Sequence, residues 1–411
     1  MEIRPILSAM LRNKTGAVLV AVQVALSLAI LANALHIVSV RQEAAARPSG
    51  IADEGTVFSI SSTPTKTPSH NDALALQQRE LAALRGVPGV VSAADTNQFP
   101  IGRSGWMTSV SLTREQEQGN AVVSNYFTSQ SLIKHWGMTL LQGRDFTPAD
   151  VQVDDPDVEG SSPDKVIITR TLADILFPDT PNVVGKTIYY GTGPKADSTR
   201  IIGVVDRLQS IGGEPGQKGE LALIQPKQTT GASTEYSVRT EPGQRDRVMR
   251  EAESAIRKVN SGPTVIRTRT FDDMRNDRYR SDRALSWMLI AVSVLLLMIT
   301  ASGIVGIASL WVTQRRKQIG VRRALGARRV DIMRYFLTEN WMITTLGIVA
   351  GILLALALNQ LLVSKLELAR LPVGYLVSGC ALFWVLGLVA VAGPAWRAAS
   401  ISPATATRGT T

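Results

Sequence analysis

The 411-residue sequence predicts an α-helical membrane protein with four transmembrane helices and an inserted α+β extracytoplasmic domain of two subdomains. Three observations predict this class. Apolar stretches at 16–40, 284–312, 341–362 and 372–391 are each long enough, at about 1.5 Å per residue, to cross a hydrocarbon core of roughly 30 Å. Between the first two lies a polar segment, 41–283, punctuated by Gly and Pro and balanced at 29 basic and 30 acidic residues. The rest of the chain holds 15 basic residues against 4 acidic ones, so the formal charge of +10 belongs to the span-flanking parts. That distribution is topological and excludes a nucleic-acid footprint.

At the N-terminus, 1–15 places Ile3, Ile6, Leu7, Met10 and Leu11 on one helical face with Arg4, Ser8 and Arg12 elsewhere. This is the pattern of an amphipathic helix lying in the membrane interface. The first span, 16–40, carries Gln23 and Ser27 on one face, suited to packing against another helix. A signal peptide has an apolar region of about 7 to 15 residues, so this longer run reads as a retained anchor despite Ala32-Asn33-Ala34.

Within 41–283, a strand at 57–61, a helix at 71–85 and a strand at 90–93 are followed by a strand at 107–112. The strand, helix, strand order returns at 236–239, 245–259 and 265–269, and an insertion at about 119–228 is expected to form the second subdomain. Residues 271–311 contain no proline and read as one helix of about 60 Å, roughly twice the hydrocarbon thickness. Its first part, 271–283, is therefore expected to stand outside the membrane as a stalk.

Apparent chemical motifs fail on spacing. Gly185-Lys186-Thr187 lacks the earlier glycine of a phosphate-binding loop, which Thr180 replaces. Asp150, Asp154, Asp155, Asp157 and Glu159 miss the EF-hand order and are broken by Pro156, so a solvated loop is expected. His36, His70 and His135 lack an i, i+4 partner and read as surface or interfacial side chains. Cys380 is the only cysteine and lies in an apolar run, which predicts no disulfide and no cysteine metal site. No catalytic, cofactor-binding or metal residue is expected in this chain, and an anchored ectoenzyme lacks a nucleophile with a base.

The second span contains Gly303 and Gly306, and the third contains Gly347-x-x-x-Gly351. Small residues at these spacings let helix backbones approach, within a subunit or between two. Residues 363–371 suffice only for a short outer loop, and 392–411 form a tail. Arg4, Arg12 and Lys14, the basic loop at 313–340, and Arg397 with Arg408 place both termini and that loop in the cytoplasm.

That loop reads QRRKQIGVRRALGARRVDIMRYFLTEN over 314–340. Arg315, Arg316, Lys317, Arg322, Arg323, Arg328, Arg329 and Arg334 are too many charges for a lipid core. Leu325-Gly326-Ala327 interrupts a helix-forming composition, so two short helices with a glycine joint are expected, Gly326 ending the first in a left-handed conformation. In the second helix Val330, Met333, Leu337 and Trp341 form an apolar stripe, with Arg329, Arg334 and Glu339 off it. Orientation alone would explain such a loop. Its residue order, however, resembles over its whole length the coupling segment of MacB/FtsX-like permeases of ATP-binding-cassette (ABC) transporters.

The resemblance extends to VVSNYF (122–127), LLQGRDFTPAD (140–150), KVIITRTLADILFP (165–178), VGKTI (184–188) and RIIGVVDRL (200–208), which look like a MacB-type periplasmic core domain. It also includes the Pro-Ala-x-Arg-Ala-Ala-x-x-x-Pro pattern at 394–403. It implies that Ile319, Gly320, Arg322, Arg323, Leu325, Gly326, Ala327, Arg328 and Met333 couple the spans to a cytoplasmic ABC ATPase. That ATPase, with its ATP and Mg, is expected as a separate chain, because the 411 residues contain no Walker A loop. The resemblance further implies a split-form permease of the bacterial inner membrane, paired with a second permease as a homodimer or related heterodimer. A periplasmic adaptor and an outer-membrane exit duct are implied partners. The implied function is mechanotransmission, coupling ATP hydrolysis to periplasmic shape change for efflux of peptides, antibiotics or toxins. Lipoprotein extraction or cell-wall hydrolase regulation by the same motor, and an ATPase-independent receptor or scaffold, stay open as alternatives.

Overall fold

The computed structural model describes residues 14–102, 104–154, 162–366 and 369–400. The helix expected at 1–15 falls, except for Lys14 and Thr15, outside the described residues, as do Asp155 to Glu159 and the C-terminal pattern beyond Ser400. In chain order the elements begin with α1 (Lys14–Ala46), β1 (Val57–Pro64), α2 (His70–Arg85), β2 (Val90–Thr96), β3 (Met107–Ser111), β4 (Ala121–Phe127), α3 (Leu132–Trp136) and β5 (Leu140–Gly143). There follow β6 (Gln152–Val153), β7 (Lys165–Thr169), α4 (Arg170–Leu176), β8 (Thr187–Tyr190), β9 (Asp197–Val205), β10 (Ala222–Gln225) and β11 (Lys227–Gln228). The chain continues with β12 (Thr234–Thr240), α5 (Arg245–Val259), β13 (Thr264–Thr270), α6 (Phe271–Gln314), α7 (Arg316–Ala324), α8 (Arg329–Leu366) and α9 (Val373–Ala399). Two units result, Met1–Arg41 with Asp282–Thr411, and Gln42–Ser281.

The first unit is helical, and α1, α6, α8 and α9 are long and apolar enough to cross a membrane. The central one is α1, whose apolar stretch is 61% buried against 17% for α6 and 28% for each of the others. Its Val24 and Leu28 sit in a core with Ile304, Ile343, Ile348 and Phe383. Glycines make that approach possible. A Cβ on Gly347 would stand 2.8 Å from the Ala21 carbonyl, and one on Gly351 would stand 3.1 Å from Ala25 Cα. The Gly-x-x-x-Gly face is thus used inside the chain, against small residues of α1. Gly303 lies against the Gln23 side chain, and Ser27 Oγ is 2.9 Å from Thr300 Oγ1 on the same seam. At Gly306, by contrast, nothing among the described residues lies within 4 Å of the place its Cβ would take.

Two helix boundaries correct the sequence reading. The expected second short helix and the third span are one helix, α8, because no proline interrupts Arg329–Leu366. Likewise α9 continues through Pro394 to Ala399, so the expected tail begins as helix. Proline removes one N–H from the ladder, and burial of Pro394, Ala395, Ala398 and Ala399 offsets that loss. The long α6 is unbroken for 44 residues, about 66 Å at 1.5 Å per residue. Thr270 and Asp273 close its start reciprocally, with Asp273 N donating to Thr270 Oγ1 (3.1 Å) and Thr270 N donating to Asp273 Oδ2 (3.3 Å).

The second unit holds a four-stranded antiparallel sheet in the order β13-β1-β12-β2. The two strand–helix–strand halves interleave, since β1 lies between β12 and β13. Leu81 and Leu84 of α2 and Val248, Ala252 and Ile256 of α5 bury the apolar side of this sheet. The other sheet runs β5-β9-β7-β10-β4-β3-β8 and closes on itself because β8 also pairs with β9. Strand β3, expected with the first half, belongs here, antiparallel to β4 and β8. The insertion therefore starts before Met107 rather than near Gly119, since Val110 is fully buried in the core of this closed sheet.

Two side-chain expectations also change. Asp150 is buried rather than solvated, accepting from Arg144 Nη1 at 2.7 Å and Lys165 Nζ at 2.6 Å. The Arg144 hydrogen bond above all, with Lys165 and Thr147, holds its carboxyl well below the usual carboxylate range despite burial. His135 is likewise buried, 2.7 Å from Ser92 Oγ through Nδ1.

Candidate coupling surface

The joint between α7 and α8 is closed by backbone hydrogen bonds on both sides. Gly326 has φ +98°, and Ala327 N donates to Arg322 O (3.1 Å) while Gly326 N donates to Arg323 O (3.2 Å). These are the two bonds of a Schellman ending, which a left-handed glycine permits without a Cβ clash. On the far side Arg328 N donates to Asp331 Oδ2 (3.0 Å), and Asp331 occupies the favourable first turn of α8.

Below the joint, Ile319 and Gly320 are buried, and Ile319 shares a core with Ile332 and Phe336. Arg315 is turned inward as well. Its Nη1 lies 2.8 Å from Glu339 Oε2, and its guanidinium sits 5.8 Å from the Trp311 ring centre and 6.0 Å from that of Tyr335. Arg323 donates to the Ala399 carbonyl at 3.2 Å, satisfying one of the open carbonyls at the end of α9. These two arginines act in packing, unlike Arg322, which is exposed and lies 5.3 Å over the Tyr335 ring.

The buried stripe of α8 is rotated from the one the hydrophobic pattern indicates. Ile332, Phe336, Glu339, Asn340 and Ile343 are buried, whereas Val330 and Trp341 are exposed and Met333 and Leu337 half-buried. The Arg315 partner brings Glu339 inside, and Asn340 Nδ2 donates to the Gly387 carbonyl at 3.0 Å. An adjacent Glu and Asn at the edge of an apolar run is the sequence signal that points to such a buried polar pair.

What remains outside is an apolar knob within a cationic rim. Leu325 is 83% exposed, with Val321 and Val330 about half exposed, and Arg316, Lys317, Arg322, Arg328, Arg329 and Arg334 are all exposed. Gly326 is exposed at the tip and Ala327 half-buried. Apolar anchors inside a charged rim are the composition of a protein-docking surface.

Comparison with known proteins gives the family. Residues 290–403 match the family described as FtsX-like permease C-terminal, and residues 23–255 match the MacB-like periplasmic core domain. The chain is 27% identical over 311 residues to the macrolide export ATP-binding/permease protein MacB of Acinetobacter baylyi, covering 73% of this chain and 44% of that one. It is 29% identical over 342 residues to MacB 1/2 of Paracoccus denitrificans, with coverages of 79% and 46%. A pyoverdine export ATP-binding/permease protein, PvdT of Pseudomonas syringae pv. tomato, is 31% identical over 162 residues, with coverages of 38% and 25%. The chain thus spans just under half the length of the two MacB relatives. A solved heavy-metal efflux pump aligns at 11% identity over 85% of this chain and 34% of its own, with a TM-score of 0.17, too low to indicate a common fold.

Proposed function

Because the chain belongs to the family of ABC transporter permeases that join a MacB-like periplasmic core domain to an FtsX-like permease C-terminal region, we propose that it couples cytoplasmic ATP hydrolysis to a conformational change in the periplasm. The observation that carries this reading is the coupling surface, where Leu325 projects from a joint closed at both helix ends. A closed joint transmits displacement, because bending it breaks hydrogen bonds on both sides. An ABC ATPase docks there from a separate chain and supplies ATP and Mg. Its closure moves α7 and the start of α8, which continues without a break into an apolar stretch of span length. The unbroken α6 serves as the lever on the outer side.

Both termini and 313–340 are cytoplasmic in this reading, 41–283 is periplasmic, and the membrane is the bacterial inner one. A second permease, identical or related, completes the motor, and a periplasmic adaptor and outer-membrane duct complete the route. The relatives' names, macrolide export and pyoverdine export, favour export over lipoprotein extraction or hydrolase control, and the proposed cargo is peptides, antibiotics or toxins.

Leu325→Asp tests docking without endangering the fold, since the side chain is 83% exposed. The expected result is normal expression with at least about a tenfold loss of copurified ATPase, as for removal of an interface anchor. Gly326→Val forces a branched side chain to a positive φ, costing about 1–2 kcal/mol, and should abolish substrate-stimulated ATP hydrolysis in the reconstituted complex. Full ATPase retention and activity in both variants would reduce this segment to an orientation signal.

A further inference from the structure

The closed sheet is filled with aliphatic side chains at one end only. Val110, Val123, Ile168, Ile188, Ile201 and Leu223 share its inner face and form one core cluster. Side chains alternate along a strand, so residues two further on keep the same face. From Val110, Val123, Ile188 and Leu223 that step leads to Thr108, Asn125, Tyr190 and Gln225, with Phe127 beyond Asn125. The inner face thus changes from aliphatic to polar and aromatic, and at that end an open cavity of about 600 Å³ is lined by these side chains. Small-molecule sites range over roughly 300–1,000 Å³ and favour the mouths of barrels.

Two features at this mouth point to an occupant. Asn125, 4% exposed and among the residues lining this cavity, holds an Oδ1 without a hydrogen-bond partner. Buried polar groups are nearly always paired, so an unpaired one on a residue that lines a cavity marks a place for a ligand's own polar group. At the rim Trp106 is 61% exposed, and its ring centre lies 6.2 Å from that of Phe127. Lys227 Nζ stands 5.7 Å over the Phe127 ring and is neutralised by Asp154 at 2.8 Å. An exposed tryptophan over an open pocket offers a flat apolar surface, and the balanced ion pair demands no charge of the ligand.

We infer that the barrel mouth binds a small, uncharged amphipathic molecule, its flat apolar face on Trp106 and Phe127 and its hydrogen-bonding group at Asn125. This site lies wholly in one chain and does not depend on the coupling role proposed above.

The test is a fluorescence titration of 2-naphthol against the full chain in lipid nanodiscs, with empty nanodiscs as the blank. One saturable site per chain is expected. Trp106→Ala, at an exposed position, should weaken binding roughly fivefold to tenfold, the size of one lost aromatic contact. Asn125→Leu should weaken 2-naphthol but not naphthalene, which has no hydroxyl to bond. Should Asn125→Leu fail to fold, Trp106→Ala still decides. Wild-type binding no greater than that of empty nanodiscs, an unchanged affinity in Trp106→Ala, or equal loss of both probes in a folded Asn125→Leu overturns the inference. Because no ATPase is present in the assay, its outcome is separate from that of the docking test.

Discussion

Arg315 and Glu339 form an ion pair beside the α7–α8 joint, where the Glu339 side chain is 1% exposed. Removing one partner of such a pair costs about 3–5 kcal/mol, because the other charge stays buried, while replacing both with apolar groups is often neutral. Glu339→Ala should therefore sharply lower the thermal unfolding midpoint in detergent. The double variant Arg315→Met/Glu339→Leu should recover most of it, and failure to recover would mean the charges act beyond packing. In the second unit, burial first, then Arg239 and Arg85, pushes the His135 imidazole from 6.5 down to about 3. Between those values the unfolded chain binds a proton that the folded chain excludes, so stability falls as pH drops below 6.5, by up to about 1.4 kcal/mol per unit, and levels off below 3. Glu235 has the opposite sign. Burial raises it from 4.5 to about 7, so its contribution is complete below 4.5 and is lost as pH rises through 7. In the overlap the two oppose each other, and His135→Asn should leave a protein that gains stability on acidification from about pH 7 to pH 5. Thermal unfolding at the two pH values checks this, and a variant with the wild-type pH profile would contradict it.

At the scale of the helix, two glycines that look alike in sequence behave differently. Gly347→Val places a branched carbon against the Ala21 backbone and Val24 Cβ, neither of which can swing aside, so the variant should fail to accumulate or lose most of its thermal stability. Gly306→Ala meets open space and should be neutral or stabilising by up to about 1 kcal/mol, the helix propensity gain. Expression and melting in detergent compare the two. Equal damage at both positions would contradict the packing described here. The same scale explains the rotated face of α8, where a buried Glu with a partner 24 residues earlier outweighs the hydrophobic pattern.

For the molecule as a whole, the charge distribution predicts that Ser69 and Thr313 lie on opposite sides of the membrane. In a Cys380→Ser background, an impermeant thiol reagent added outside should label Ser69→Cys and reach Thr313→Cys only after permeabilisation. Labelling of both from outside would refute the four-span topology. The sequence alone determined the four long apolar helices and the glycine joint at Gly326, because hydropathy, length and the need for a positive φ are local properties. Charge asymmetry is equally local, and so are the strand and helix periodicities that located β1, α2, β2, β3, β12, α5 and β13. Tertiary structure alone decided that β3 pairs with β8 in the closed sheet and that Gly347 and Gly351 face α1. It also decided that Arg315 and Arg323 turn inward while Leu325 projects, and that polar and aromatic side chains collect at the barrel mouth. Each depends on partners far along the chain, as Ser27 and Thr300 are, 273 positions apart. Strand pairing and helix packing are settled by which distant surfaces complement one another, and no local window of sequence carries that information.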